Sequence, residues 1–288
     1  GYVNAVHKQG PGGFGGARVQ HDCNEFLLML IDILDDELNP LRNLPGRRPI
    51  EEIEESIEKS PTILDAAGIY WADWTSNLGS PITRRMKGVT ARILTCDLCG
   101  RSRPVFDQFQ QLLLAVPPDG TCNLNDILDA SYGPNSELIE YQSLQCSKCD
   151  QNTSQRGRIY LVYMPDTLII SFMRMTNSLA KIKTRIAVPL TVNFENNIVT
   201  DQKESTNQDL RCIGPFIYDV YGLGLHSGNT LASGHYRMLA RSLDQLAAGK
   251  PAGFWHMFDD RNVTPFNVTT VDTSEISLIF LQRQGRLL

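Results

Sequence analysis

Two pairs of cysteines constrain what this 288-residue chain can fold into. Each pair has the spacing Cys-x-x-Cys, and 46 residues separate Cys96 and Cys99 from Cys146 and Cys149. Two thiolates at this spacing lie on one tight turn, and two such turns can complete a tetrahedral shell around Zn²⁺. Disulfides are the alternative, but the odd total of seven cysteines and the lack of a recognisable secretory leader disfavour them. We therefore expect a structural zinc site, because four cysteine ligands leave no open position for catalysis.

The composition argues against several classes of protein. Apolar residues make up 42% of the chain and charged residues 20%, which suits a folded chain with one large core or two smaller ones. The net charge of −5 gives no reason to expect a nucleic-acid partner. No apolar run reaches the ~18 residues of a membrane-spanning helix, so no membrane contact is expected. Free or metal-bound thiols favour an intracellular location, without separating nucleus from cytosol.

The order of the predicted elements favours an α+β fold. Apolar residues recur at helical spacing from Asp22 to Leu38, and an acidic segment at 50–59 predicts a second helix. Asp22 and Glu25 are three residues apart, as in a capping box at a helix N-terminus. Short β-rich runs dominate later in the chain and predict strands at 89–95, 103–115, 158–164, 167–173, 185–192, 216–225, 235–241, 254–258 and 276–283, with a short helix at 124–130. Helices followed by strands are typical of an α+β domain.

Two short segments near the C-terminus contain a candidate catalytic pair. Residues 233–236 read Ser-Gly-His-Tyr, and residues 255–260 read Trp-His-Met-Phe-Asp-Asp. A hairpin centred near residue 247 would place His235 opposite Asp259, with Cβ atoms ~4.5–5.5 Å apart. A carboxylate bonded to an imidazole fixes its tautomer and raises its basicity, so that the histidine can activate a thiol or hydroxyl. An exposed histidine beside a turn that contains aspartates is the alternative that spacing alone leaves open.

The residues by themselves do not identify a nucleophile. Cys23 lies near a helix N-terminus, where the helix dipole lowers the pKa of a thiol. It also lies near the apolar side of that helix, so that a buried structural cysteine is the favoured interpretation. Cys122 and Cys212 have no distinguishing context.

Several segments together resemble the ubiquitin-specific protease family of papain-like cysteine peptidases. Residues 20–27, Gln-His-Asp-Cys-Asn-Glu-Phe-Leu, resemble the family's Gln-Gln-Asp-x-x-Glu-Phe-Leu box, and the two cysteine pairs resemble its zinc-ribbon fingers. The histidine and aspartate boxes match residues 233–236 and 255–260. Three further segments are similar to family strands: Met-Pro-Asp-Thr-Leu-Ile-Ile at 164–170, Phe-Met-Arg-Met at 172–175, and the run at 277–283. The boxes follow the family's order from about residue 18 to residue 283.

The resemblance implies a single catalytic domain built as a helical thumb, a β palm and zinc-tipped β fingers. Residues 1–88 would form a partial thumb, 89–160 the fingers and 161–288 the palm. It further implies that His235 is the general base and that Asp259 orients it. The other residues that the resemblance marks are Asp260, as a secondary polar member of the site, and Gln20, Asp22 and Glu25, near the bound C-terminal tail of ubiquitin.

One family motif is not present. The cysteine box, Asn-x-x-x-x-Cys-Tyr-x-Asn, does not occur in this sequence, and in the family it precedes the Gln-Gln-Asp box by several dozen residues. Because 19 residues precede Gln20, we expect the chain to be an N-terminally truncated fragment that is inactive by itself. The resemblance implies that the full-length protein is a thiol-dependent deubiquitinase, with ubiquitin and ubiquitinated proteins as partners. It would hydrolyse the isopeptide or peptide bond after ubiquitin's C-terminal glycine. A catalytically inactive ubiquitin-binding scaffold is the alternative.

Overall fold

The structure, a computed structural model, describes residues 22–41, 50–76, 78–176, 180–199, 205–230, 233–241 and 254–285. Within these ranges the chain forms five α-helices, and four of them precede the first strand. They are α1 (Cys23–Glu37), α2 (Ile50–Glu58), α3 (Ile63–Trp74), α4 (Pro81–Met86) and α5 (Leu124–Ser131). The predicted order of helices followed by strands is confirmed. None of these helices is long and apolar enough to cross a membrane.

The same ranges contain fourteen strands in three sheets. The strands are β1 (Gly88–Cys96), β2 (Ser102–Phe109), β3 (Leu112–Ala115), β4 (Thr121–Asn123), β5 (Ile139–Cys146), β6 (Gln151–Tyr163), β7 (Thr167–Met173), β8 (Arg185–Ala187), β9 (Thr191–Asn193), β10 (Ile217–Thr230), β11 (Ser233–Ala240), β12 (Trp255–Asp259), β13 (Asn262–Phe266) and β14 (Ile276–Arg283). A four-stranded sheet has the order β2-β1-β6-β5. An eight-stranded sheet has the order β13-β12-β11-β10-β14-β7-β3, with β9 also paired to β10, and β4 pairs with β8.

Every predicted strand coincides with at least one observed strand, but two predicted runs are each two strands. The run at 103–115 divides because β2 pairs with β1 in the four-stranded sheet, whereas β3 pairs with β7 in the eight-stranded one. The run at 185–192 divides into β8 and β9 at a segment that contains Pro189, and proline cannot donate to a strand ladder.

Two elements that periodicity did not predict are explained by their surroundings. Helix α3 has no single apolar stripe because it packs against both α2 and the four-stranded sheet, so that Leu64, Ala67 and Trp71 are all buried. Trp71 stacks on Tyr163 of β6 with a ring-centroid distance of 5.3 Å. Strand β5 lies at the edge of its sheet, and a register shift between Tyr141 and Leu144 interrupts the alternation of apolar and polar residues along it.

The carboxylate of Asp35 attaches α1 to α4. Asp35 is buried, with 6% of the residue exposed, and its side chain accepts hydrogen bonds from the Ser80 hydroxyl, from the Thr83 backbone N–H at 3.0 Å and from the Thr83 hydroxyl at 2.7 Å. The Lys87 ammonium lies 2.6 Å from the other carboxylate oxygen. Burial by itself would raise the pKa of Asp35, but the hydrogen bonds from Lys87, Ser80 and Thr83 outweigh it and lower that pKa.

The eight-stranded sheet places α1 close to the C-terminal strands. One face of the sheet covers the largest apolar core, which includes Leu239 and Trp255 and also contains residues of α5. The opposite face packs against α1 and α4, where Ile31 of α1 contacts a cluster with Ile169 and Leu278. The start of α1 and the start of β11 therefore belong to one packed region.

Candidate active site and cysteine cluster

The two residues of the candidate catalytic pair are in hydrogen-bonding contact. His235 Nε2 lies 2.6 Å from Asp259 Oδ1, and both side chains are partly exposed, at 46% and 42%. The predicted proximity of the two side chains is confirmed. When Nε2 donates to the carboxylate, Nδ1 is the ring nitrogen left to accept a proton.

The predicted hairpin register is wrong by two residues. In the observed ladder Met238 pairs with Phe258 and Ala240 pairs with His256, so that the same register places Asp259 opposite Arg237 rather than His235. A shift of two residues leaves both side chains on their original faces of the sheet. The imidazole therefore reaches the carboxylate diagonally, and diagonal neighbours are within reach of a long or aromatic side chain.

Asp260 lies in the turn that follows β12, and its backbone has a positive φ of 51°. Aspartate is one of the few residues that adopt this left-handed conformation readily. The turn brings the Asp260 carboxylate within 4.8 Å of the ligand atoms of His235 and Asp259. Asp260 is therefore a polar neighbour of His235 and Asp259.

The start of α1 is joined to the histidine segment through Asp22. The Asp22 Oδ1 atom caps the helix by accepting the N–H groups of Asn24 at 2.8 Å and Glu25 at 3.0 Å. Its Oδ2 atom accepts a hydrogen bond from the Tyr236 hydroxyl at 3.2 Å. The Glu25 side chain is exposed, and Gln20 lies outside the described residues. Sequence reasoning missed the contact between Asp22 and Tyr236, because no local pattern joins residues 214 positions apart.

Gly234 is required by a close approach of the neighbouring strand. A Cβ atom at this position would lie 2.0 Å from His226 Nε2 and 2.6 Å from the Ser227 carbonyl oxygen. Any side chain on residue 234 would therefore displace the segment that contains His235.

The three cysteines outside the two pairs have unreactive surroundings. Burial, followed by the nearby charge of Asp22, raises the pKa of the Cys23 thiol, which packs against the apolar cluster of α1. Burial also raises the pKa of Cys122, and it raises the pKa of Cys212 to about 12. A thiol that keeps its proton at neutral pH is a poor nucleophile.

The four paired cysteines converge at the tip of the four-stranded sheet. Their sulfur atoms all lie within 4.8 Å of one another, with Cys96 and Cys149 at 3.9 Å and Cys99 and Cys146 at 3.7 Å. Zn–S bonds of about 2.3 Å in a tetrahedron place the sulfurs about 3.8 Å apart. The observed separations match that spacing and are far longer than the about 2.05 Å of a disulfide. The four cysteines therefore lie close enough together to bind one metal ion.

Both cysteine turns have the same backbone form. The N–H of Gly100 donates to the Cys96 carbonyl at 2.9 Å, and the N–H of Asp150 donates to the Cys146 carbonyl at 2.8 Å. Gly100 and Asp150 each have a positive φ, of 68° and 54°. Two equivalent turns thus direct two thiols each toward one point.

The charges of the cluster also suit a cation. Hydrogen bonds from Thr153 and from the Cys99 backbone lower the pKa of Cys96 to about 6, and the Cys149 backbone N–H lowers the pKa of Cys146. Hydrogen bonding to Cys99 raises the pKa of Cys149 to about 12. Four thiolates this close together repel one another, and a divalent cation at their centre would offset that repulsion.

Comparison with known proteins identifies the family. A sequence profile described as Ubiquitin carboxyl-terminal hydrolase matches residues 14–281. The chain belongs to this family. Ubiquitin carboxyl-terminal hydrolase 4 of Eremothecium gossypii is 28% identical over 252 residues, which are 84% of this chain and 28% of that protein. Ubiquitin carboxyl-terminal hydrolase 2 of Homo sapiens is 26% identical over 278 residues, which are 91% of this chain and 40% of that protein.

Solved structures share the fold of this chain. The SAGA Ubp8/Sgf11/Sus1/Sgf73 DUB module bound to ubiquitin aldehyde superimposes with a TM-score of 0.64 and 16% identity, over 93% of this chain and 50% of that one. A SAGA DUB module bound to monoubiquitin superimposes with a TM-score of 0.62 and 17% identity. The expected α+β ubiquitin-specific protease fold is confirmed.

Proposed function

We propose that the protein to which this chain belongs is a thiol-dependent deubiquitinase. It hydrolyses the isopeptide or peptide bond that follows the C-terminal glycine of ubiquitin. The observation that carries the proposal is the hydrogen bond between His235 and Asp259, in a chain whose family is that of the ubiquitin carboxyl-terminal hydrolases. A protein that only bound ubiquitin would need neither residue.

The geometry supports distinct roles for the two residues. Asp259 accepts a hydrogen bond from the Nε2–H of His235, which holds the ring in one orientation and stabilises the imidazolium that forms during the reaction. Nδ1 of His235 then takes the proton from the attacking thiol and returns a proton to the leaving lysine amine. Asp260 adds a second carboxylate near the imidazolium.

The attacking thiol is proposed to come from a segment that precedes these residues in the full protein. The full box Asn-x-x-x-x-Cys-Tyr-x-Asn is not found in the sequence. Asn207 stands five residues before Cys212, but Ile-Gly-Pro follows this buried cysteine. All three cysteines outside the two pairs have raised pKa values. The chain spans between 28% and 40% of the length of the two curated relatives described above.

The ubiquitin tail is proposed to lie along the start of α1. Asp22, exposed Glu25 and Gln20 are the side chains assigned to this channel. The tail carries arginines, and carboxylates form strong charge-assisted hydrogen bonds with guanidinium groups. In this arrangement α1 to α4 belong to the thumb, the four-stranded sheet to the fingers and the eight-stranded sheet to the palm.

One Zn²⁺ is proposed to be held by Cys96, Cys99, Cys146 and Cys149. With four protein ligands the ion supplies a structural cross-link between the β1–β2 and β5–β6 turns, and takes no part in the reaction. Zinc thiolates and an active-site thiol both require reducing conditions, so the proposal includes an intracellular location.

The test uses the protein with its native flanking sequence and a ubiquitin whose C-terminus carries a fluorogenic amide. The unaltered protein should release the fluorophore, and His235→Ala should abolish release while ubiquitin binding persists. His256→Ala is the matched control, because it removes a histidine from β12 that is outside the proposed machinery. Ubiquitin binding without turnover by the unaltered protein would refute the enzymatic proposal and leave a binding scaffold.

A further inference from the structure

The backbone of His235 is held by the sheet on only one side within the described residues. On the β10 side, the pair Ser227–His235 is the last one before the register shifts in β10. On the β12 side, the ladder extends only from Met238 to Ala240. His235 therefore lies near the end of β11, where among the described residues the regular strand pairing continues on the β10 side and has ended on the β12 side.

The ring of His226 supports this strand end from behind. His226 is 9% exposed, and its ring packs on the ring of Tyr236 with a centroid distance of 4.5 Å. Its Nε2 atom occupies the space in which a Cβ of Gly234 would lie. Gly234 and Tyr236 flank His235, and alternate residues of a strand face opposite sides of the sheet. The ring of His226 thus covers both neighbours of His235 on the face opposite to the imidazole.

His226 is itself fixed on β10. The backbone N–H of His226 donates to the Glu275 backbone carbonyl at 2.9 Å, and the His226 backbone carbonyl oxygen accepts a hydrogen bond from the Lys181 ammonium. Burial, followed by the charge of Lys181, lowers the pKa of His226, whereas the smaller effects of the Asp22 and Glu275 charges oppose this. A neutral ring packs against Tyr236 without burying a charge.

We propose that His226 is a positioning residue for the catalytic pair, which holds the backbone of residues 234–236 so that His235 meets Asp259. The proposal rests on the proposed roles of His235 and Asp259 in a deubiquitinase. Its immediate claim concerns the geometry of the pair, which can be measured on the chain without any turnover.

The first test is an NMR measurement on the 288-residue chain labelled with ¹⁵N at its five histidines. In the unaltered chain the His235 ring should show one tautomer with a protected Nε2 proton, assigned by its loss in His235→Gln. His226→Ala should broaden or remove that proton signal. His226→Gln, whose flat amide can still cover Gly234, should restore part of it.

Tyr221→Ala is the matched control, because it removes an aromatic ring from the same strand that faces Phe280 at 6.2 Å instead of Tyr236. This variant should lose stability and keep the His235 signal. An unchanged His235 signal in a folded His226→Ala chain would overturn the proposal. An equal loss of the signal in Tyr221→Ala would also overturn it, because His226 would then act through general stability.

The second test uses the full protein and the ubiquitin amide. A misplaced catalytic group costs turnover more than binding, so His226→Ala should lower kcat by about 10- to 100-fold and change KM by less than about twofold. A rise in KM with unchanged kcat would overturn the positioning role. If the full protein has no activity, the deubiquitinase proposal fails, while the NMR result still decides whether His226 orients His235.

Discussion

Substitution of Asp35 by alanine should destabilise the attachment of α1 to α4 more than most single changes would. The buried Asp35 carboxylate accepts hydrogen bonds from two hydroxyls, one backbone N–H and one ammonium group. In Asp35→Ala the hydroxyls can rotate toward other acceptors. The backbone N–H of Thr83, a fully buried residue, cannot do so without moving α4, and the Lys87 ammonium, on a side chain that is 14% exposed, loses the carboxylate it contacts.

The expected cost follows from those two groups. A buried donor left without an acceptor costs about 1–3 kcal/mol, and removal of one partner from a buried ion pair costs about 3–5 kcal/mol. We therefore expect Asp35→Ala to lower the free energy of unfolding by about 3–5 kcal/mol. Asp35→Asn keeps one acceptor oxygen and the side-chain volume, so we expect it to cost about 2 kcal/mol.

Urea unfolding followed by tryptophan fluorescence measures both values. Trp74 is a suitable probe, because the Lys87 ammonium lies 6.0 Å from the centre of its ring. A cost below about 1 kcal/mol for Asp35→Ala would show that the buried donors find other partners, and would refute the reasoning.

The remaining predictions concern pH, the cysteine cluster and the glycine beside His235. Because the pKa of folded Asp35 lies below its ordinary 3.8, its stabilisation is complete above about pH 4 and is lost as the pH falls through the folded value. The difference in unfolding free energy between the unaltered chain and Asp35→Asn should thus be constant from about pH 7 to 5 and shrink below about pH 4; a difference that grows in acid would contradict this sign. Elemental analysis should find one zinc per chain, which Cys146→Ser should lose and the control Cys122→Ser should retain. Absence of zinc from both the unaltered chain and Cys122→Ser would exclude the zinc site. Gly234→Ala should cost about 1–3 kcal/mol by thermal or urea unfolding, because its Cβ collides with His226 and with a backbone oxygen. An unchanged unfolding midpoint for Gly234→Ala would show that β10 and β11 can move apart at this position without cost.

The sequence predicted those parts of the site that depend on local patterns. The capping role of Asp22 follows from residue type at a helix start, and the cysteine turns follow from the Cys-x-x-Cys spacing. The proximity of His235 and Asp259 follows from the alternation of side chains along two adjacent strands. This alternation determines only the face of the sheet on which a side chain lies. When the centre of the hairpin is misplaced by one residue, the pairing of the strands is wrong by two residues, but both side chains remain on the same face.

The contacts that the sequence did not predict depend on the tertiary fold. Helix α3 packs against both α2 and the four-stranded sheet, which removes the single apolar stripe on which helix prediction relies. The packing of His226 on Tyr236 and Gly234 requires the alignment of β10 with β11. That alignment includes a register shift between Ser227 and Thr230, where Gly228 has a positive φ of 145°, and a single glycine in a sequence does not specify such a shift.

The most direct test of the catalytic assignment is the kcat/KM of the full protein for ubiquitin amide after Asp259→Asn. Asparagine keeps the size of the side chain and one acceptor oxygen, but its neutral amide stabilises the imidazolium of His235 less than a carboxylate does. We expect kcat/KM to fall by about 10²- to 10⁴-fold, with the Kd for ubiquitin unchanged within about twofold. Retention of more than about a third of the activity would contradict the role of Asp259, because that loss corresponds to less than about 1 kcal/mol of transition-state stabilisation.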